Sequence, residues 1–340
     1  MFKPVYTVHT ILLSNIVRIK NLITELNKQT FSDVVLARFE KESYALSTFA
    51  STSIEGNPLP LTDVRNILKH TPEHIRDTER EVLNYNNALL YLFSYQKKQK
   101  RIDVDFICHI QRMVVDGLLD TKNVGALRKE GVLVNNPKKR KVAYIPPDAK
   151  DVPVLVQELV EYVKHEQFTT DPLLLAGIFH KQFVIIHPFM DGNGRSARLL
   201  TKYLLAHMGL DTFQLFSFEN YYNKNVTRYF ESVGVHGDYY EIVATVDFTD
   251  WLVYFTDGII DELLRVQKLL QETVSRQRVL EHEKALLQYI QKNGSITKKE
   301  YATVTKRARS TQILDLARLV ERGVLIRNGR GKATYYTIAE

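Results

Sequence analysis

Cysteine is almost absent: Cys108 stands alone among 340 residues. That excludes an intrachain disulfide framework and a cysteine-rich zinc site. Long apolar runs are missing too. The most apolar stretch, residues 173–189, is interrupted by His180, Lys181 and Gln182, too short and too polar to span a bilayer. Residues 1–13, broken by His9, lack the pattern of a cleaved leader. The expectation is a cytoplasmic protein without membrane contact. With 15 glycines, 10 prolines and no repeat or low-complexity tract, collagen-like and wholly disordered chains are excluded. What is present is ordinary globular material, 44% hydrophobic and 25% charged. A chain of this length allows about two to three domains.

The body also lacks a charge bias. The formal net charge is +7, but residues 281–340 hold twelve Lys and Arg against six Asp and Glu, so the first 280 residues are nearly neutral. A basic module on a neutral body suggests nucleic-acid affinity at that end.

Most of the first 280 residues carry helical periodicity, as in Val17, Ile19, Leu22, Ile23 and Leu26, which predicts a mainly α protein. One exception is Val132-Leu133-Val134 and Val142-Ala143-Tyr144 around a polar turn, a β-hairpin signal. A long helix over about residues 250–278 turns polar at its end. The predicted division is an N-terminal helical region over 1–100, a core over 101–275 and a basic module over 281–340.

The chemistry concentrates in His187-Pro188-Phe189-Met190-Asp191-Gly192-Asn193-Gly194-Arg195-Ser196-Ala197-Arg198. A helix should end near His187, because proline disfavours helical geometry in the residue before it. The glycines permit a tight loop, and a new helix should follow. Amides at a helix N-terminus form an anion site. Arg195 and Arg198, three residues apart, share a helix face and make a polyphosphate clamp. Asp191 supplies a hard oxygen for Mg²⁺. His187 is placed as a general base.

The segment resembles the signature of the Fic family, His-Pro-Phe-x-(Asp/Glu)-Gly-Asn-Gly-Arg-x-x-Arg, at all nine constrained positions. The resemblance implies a helical core with a β-hairpin flap and transfer of AMP from ATP to a Ser, Thr or Tyr hydroxyl of a target protein, and of the enzyme itself. Within it, His187 deprotonates the hydroxyl and Asp191 holds Mg²⁺. Gly192, Asn193, Gly194 and Arg195 cradle the α- and β-phosphates, and Arg198 grips the γ-phosphate. Gly125-Ala126-Leu127-Arg128 resembles the lead-in to the flap and Ile145-Pro146-Pro147 its exit. Val142, Ala143 and Tyr144 then line the nucleotide side. Tyr229-Phe230 resembles a pair of adenine-contacting aromatics. The target is not named by the sequence, and family members often form homodimers.

Upstream, Ser51-Thr52-Ser53-Ile54-Glu55-Gly56 resembles the family's inhibitory motif. In that reading Glu55, supported by Ser51, pairs with Arg198 and removes it from the γ-phosphate. A carboxylate is a strong competitor for a guanidinium. Residues 281–340 read as a winged helix-turn-helix, with the capping box Thr297-Lys298-Lys299-Glu300 opening its second helix. The third helix has Ile313, Leu316, Leu319 and Val320 as its apolar face. Lys306, Arg307, Arg309, Thr311 and Gln312 near its start, and Arg330 in the basic wing, are candidate contacts to double-stranded DNA. A protein-interaction module remains the alternative there. For the core, the alternatives are another donor, removal of AMP, or a DNA-binding regulator whose core senses nucleotide.

Overall fold

The computed structural model describes residues 2–29, 33–96, 102–136, 141–277, 281–305, 308–321 and 323–338. The chain divides into two compact units, residues 1–266 and 267–340. The first contains α1 (Thr10–Asn27), α2 (Asp33–Ile54), α3 (Leu61–Lys69), α4 (Asp77–Gln96) and α5 (Val104–Val115). After a hairpin, β1 (Val134–Asn136) and β2 (Lys141–Ile145), come α6 (Val152–Glu166), α7 (Pro172–Ile186) and α8 (Asn193–Leu205). Then follow α9 (Glu219–Lys224), α10 (Val226–Val233), β3 (Gly237–Asp238), α11 (Tyr239–Ile242) and α12 (Thr249–Gln277).

The centre of this unit is the pair α7 and α8. Every residue of α8 except Gly194 is buried, because α2, α4, α5 and α7 all pack on it. The sequence separates residues 1–100 from the core. In the structure α2 and α4 pack against α8 as walls of that core. Helix α7 begins with Pro172 after Asp171, whose side chain accepts from the Leu173 amide at 3.0 Å, the usual way to satisfy a free first-turn donor. Phe179, Phe183 and Ile186 of α7 and Leu199 and Leu200 of α8 are buried, each worth about 1.5–3 kcal/mol relative to exposure.

The hairpin forms, with β2 between antiparallel β1 and parallel β3. Its register shifts: Val134 pairs with Tyr144 but Asn135 with Val142, leaving Ala143 as an extra residue. Such a bulge breaks the strict alternation of faces. Val142 is exposed, while Tyr144 turns inward and donates its hydroxyl to the Ile185 carbonyl at 3.0 Å. Tyr144, expected on the nucleotide side, ties the flap to the end of α7.

The second unit holds α13 (Glu281–Asn293), β4 (Ile296–Thr297), α14 (Lys298–Thr305), α15 (Arg309–Glu321), β5 (Leu325–Asn328) and β6 (Tyr335–Ile338). The sheet order is β4-β6-β5, all antiparallel. The capping box forms as the sequence predicts: the Thr297 amide donates to Glu300 at 2.8 Å and the Glu300 amide to Thr297 Oγ1 at 3.3 Å. Its core is Leu286, Ile290, Ile296, Tyr301, Leu316, Leu319, Leu325 and Tyr336. On helix α15 Leu316 and Leu319 face the core as expected and Val320 packs against it, but Ile313 does not. Ile313 is 47% exposed, and Gln312 and Asp315 are buried beside Leu316.

Candidate active site

Helix α7 ends at His187, which adopts the left-handed conformation, φ 50° and ψ 60°. It is the only non-glycine with positive φ among the described residues. Gly192 supplies a second left-handed position, φ 80°, as the cap of α8. Between them Phe189 is buried in the core. Asn193 closes the loop on itself: its Oδ1 accepts from the Phe189 amide at 2.9 Å and its Nδ2 donates to the Phe189 carbonyl at 2.8 Å. The Asn193 side chain is thus a loop staple, and only its backbone amide remains to meet an anion.

Two buried residues hold this loop from behind: Arg128, in the stretch that resembles the flap lead-in, and Gln111, which the sequence does not single out. Arg128 donates through Nε to the His187 carbonyl at 2.8 Å and through Nη2 to the Pro147 carbonyl at 2.5 Å, while its amide donates to the Pro188 carbonyl at 2.9 Å. A cation at the free carbonyls of a helix C-terminus is stabilising. The same guanidinium joins the α7 end to the flap exit. Gln111 of α5 donates to the Asp191 carbonyl at 3.1 Å and accepts from the Gly125 amide at 2.6 Å. The motif-like spacing of Gly125 and Arg128 was the only signal of this support.

His187 Nδ1 lies 3.3 Å from the Val184 carbonyl. A carbonyl can only accept, so Nδ1 carries the proton and Nε2 keeps its lone pair. Burial pushes the imidazole below its ordinary value of 6.5, and nearby Arg128 acts in the same direction, against a weaker pull from the Val184 bond, Glu55 and Asp191. The neutral, basic form is therefore favoured at neutral pH.

The two motif arginines occupy different settings. Arg195 is 6% exposed and bridges Glu81 of α4, at 2.5 Å, and Asp191, at 3.0 Å. Arg198 is fully buried. Its Nε donates to Ser51 Oγ at 2.7 Å, and its Nη2 donates to the Ser51 carbonyl at 2.9 Å and to Glu55 Oε1 at 2.8 Å. Burial lowers its basicity, and the Glu55 charge and hydrogen bond more than reverse this, holding the guanidinium above its usual range. Its Nη1 is buried without a hydrogen-bond partner among the described residues.

Glu55 follows the last turn of α2, where Gly56 takes φ 98° and the Asn57 amide returns to the Thr52 carbonyl at 3.1 Å. This Gly-terminated end aims the carboxylate at the start of α8. A Cβ built on Gly194 would stand 2.2 Å from Glu55 Oε1 and 3.2 Å from Arg198 Nη1. The carboxylate thus lies over the N-terminus of α8, where backbone amides favour an anion. Glycine at 194 leaves room for it in this position.

Residues 101–205 match the sequence pattern of the Fic/DOC family. This segment is similar to a Fic domain. The chain is 31% identical over 182 residues to the protein adenylyltransferases Fic of Drosophila erecta and Drosophila melanogaster, an alignment of 52% of this chain and 35% of theirs. It thus spans about a third of the length of these curated relatives. Its fold is similar to that of a Fic family protein from Desulfovibrio desulfuricans, with a TM-score of 0.67 at 19% identity, over 99% of this chain and 98% of the other. It is also similar to Fic-1 from C. elegans, with a TM-score of 0.60 at 23% identity, over 77% of this chain and 74% of the other.

Within the matching segment and its surroundings, the structure gathers His187, Asp191, Gly192, Asn193, Gly194, Arg195, Arg198, Ser51 and Glu55. Tyr229 is not open to a ligand. It is 1% exposed, its ring is stacked on Tyr222 at 4.5 Å, and its hydroxyl lies 3.0 Å from His180 Nε2. The buried imidazole bonds Thr201 on its other side at 2.9 Å, and this pairing draws Tyr229 into the core. Phe230 is the exposed member of the pair.

No group of three or more His, Cys, Asp or Glu forms a metal cage among the described residues. Asp191, half-exposed beside the anion site, is a donor set that fits Mg²⁺ carried in with phosphates rather than held by protein alone. No described helix is long and apolar enough to cross a membrane. In the second unit Gln312 is buried, so its amide is not presented to DNA, while Thr311 is half-buried and Arg330 exposed. Lys306 and Arg307 lie outside the described residues.

Proposed function

We propose that this chain transfers AMP from ATP to a hydroxyl of a target protein, and that Glu55 holds it at low basal activity. The observation that carries the reading is the α8 N-terminus. There the buried donor Arg198 Nη1 stands beside Gly194, and a carboxylate of the same chain covers the site. An anion site built this way suits a nucleotide phosphate, and Glu55 acts as its internal competitor.

His187 Nε2 takes the proton of the target hydroxyl. The oxygen forms a bond to the α-phosphorus, the bond from that phosphorus to the β-bridging oxygen breaks, and pyrophosphate leaves with the electron pair. The amides of residues 193–195 and the Arg198 guanidinium hold the phosphates, while Asp191 would bind Mg²⁺. When bound, Mg²⁺ supplies charge stabilisation to the phosphate oxygens. The outer edge of β1 offers backbone groups to an extended target segment. Self-modification and a homodimer belong to the same proposal.

The test uses ATP labelled at the α-phosphate with wild type, Glu55→Gly and His187→Ala. Strong labelling of Glu55→Gly, weak labelling of wild type and none of His187→Ala support the reading. Equal labelling of wild type and Glu55→Gly removes the brake from it.

For residues 281–340 we propose a winged helix that contacts duplex DNA, supported by the three-stranded antiparallel sheet, the helix order and the basic excess. Ile313 and Leu314, both exposed on α15, favour a protein contact as the second reading.

A further inference from the structure

Glu81 of α4 lies outside the motif, yet its carboxylate joins the two halves of the site. One oxygen, Oε1, accepts from Arg195 Nη1 at 2.5 Å. The other, Oε2, accepts from Asn57 Nδ2 at 2.7 Å. Asn57 stands two residues beyond Glu55. Its Nδ2 also donates to the Thr78 carbonyl at 2.9 Å, its Oδ1 accepts from the Leu59 amide at 3.1 Å, and its own amide closes the end of α2. Asn57 is therefore the peg that fixes where α2 stops, and so where Glu55 points.

On the other side, Arg195 lies between two carboxylates, Glu81 and Asp191. Its fork geometry fixes the start of α8 against α4 and sets which way its remaining donor faces. Arg195 Nε is buried without a hydrogen-bond partner among the described residues, so the donor set on this face is incomplete in the protein alone.

We infer that Glu81 is a positioning residue that sets both states of the site: it orients Arg195 for the nucleotide, and through Asn57 it anchors the inhibitory Glu55. The inference rests on the AMP-transfer reading. It follows that the two functions separate by substitution. Asn57 fixes the end of α2 and reaches Arg195 only through Glu81, whereas Glu81 bonds Arg195 directly.

The experiment measures labelling by α-labelled ATP across ATP concentrations, with ATP binding followed by calorimetry. It compares Glu55→Gly, Glu55→Gly with Glu81→Gln, Asn57→Ala, and Glu55→Gly with Asn57→Ala. Glu81→Gln keeps size and one acceptor but drops the charge that Arg195 uses. In the Glu55→Gly background it is expected to raise the KM for ATP about fivefold or more, with kcat changed less than about twofold, the mark of lost ground-state positioning. Asn57→Ala is expected to raise labelling several-fold while Glu55 is present and, in the Glu55→Gly background, to raise the KM for ATP less than Glu81→Gln does, because Asn57 reaches Arg195 only through Glu81. An unchanged KM for ATP in the Glu81→Gln variant overturns the inference, as does an Asn57→Ala protein no more active than wild type. A fold defect is recognised separately, since loss of folded protein lowers the labelled fraction without moving KM. If Glu55→Gly neither labels nor binds ATP, the AMP-transfer reading itself fails and takes this inference with it.

Discussion

Replacing Glu55 by Gln should move stability and nucleotide affinity in opposite directions. The change keeps the shape and an acceptor but removes the charge facing Arg198. The guanidinium is fully buried, and its remaining partners, Ser51 Oγ and the Ser51 carbonyl, are neutral. Breaking a fully buried ion pair costs about 3–5 kcal/mol. Glu55 is 29% exposed, so water replaces part of its contribution and about 1–2 kcal/mol is expected. At about 2 °C per kcal/mol for a unit of this size, the nucleotide-free melting temperature should fall by about 2–4 °C. The phosphates, conversely, no longer compete with a charged hydrogen bond worth about 2 kcal/mol, which corresponds to about thirtyfold tighter ATP binding. Thermal melts with and without Mg²⁺ and ATP, together with titration calorimetry, read both quantities. With saturating ATP the ranking of the two proteins should reverse. A Glu55→Gln protein as stable as wild type, with the same ATP affinity, would refute the idea that this ion pair closes the site.

Further outcomes follow from the same geometry. The depressed His187 imidazole keeps its base form down to below its ordinary 6.5, so the labelling rate of Glu55→Gly should be flat from neutrality upward. It should fall only on the acid side, with a midpoint below 6.5; a midpoint at or above that value contradicts the base assignment. Asn193→Ala strips both bonds to the Phe189 backbone and leaves a buried amide unpaired, a loss of about 1–3 kcal/mol in urea unfolding. If the basic unit contacts duplex DNA, its affinity should fall steeply with salt, and Arg330→Ala should flatten that slope by about one unit. Binding that ignores salt would point instead to the apolar side of α15.

The motif loop was legible because its chemistry is local. A proline, two glycines and two arginines at fixed spacing determine where one helix ends and the next begins. Glu55 was reached only through the resemblance of residues 51–56 to the family's inhibitory motif, with the helix stop at Gly56 beside it. What the sequence did not display was the support from distant elements. Gln111, Arg128 and Glu81 act through contacts across tens of residues, and a buried Gln or Glu on a helix leaves no periodic trace. The burial of Tyr144 and Tyr229 was not legible, because aromatic identity says nothing about facing. A one-residue bulge at Ala143 turned the first inward, and a buried partner, His180, drew in the second. On α15 Leu316, Leu319 and Val320 face inward as their spacing predicts, but Ile313 is exposed, while the polar Gln312 and Asp315, which periodicity does not pick out, are buried.

The most direct test of the account is the intact mass of the Glu55→Gly protein after incubation with Mg²⁺ and ATP. The account predicts a gain of one AMP per modified hydroxyl, abolished when His187→Ala is added. A gain of a phosphoryl group alone, or no gain while a tightly bound ATP is recovered unchanged, would contradict it.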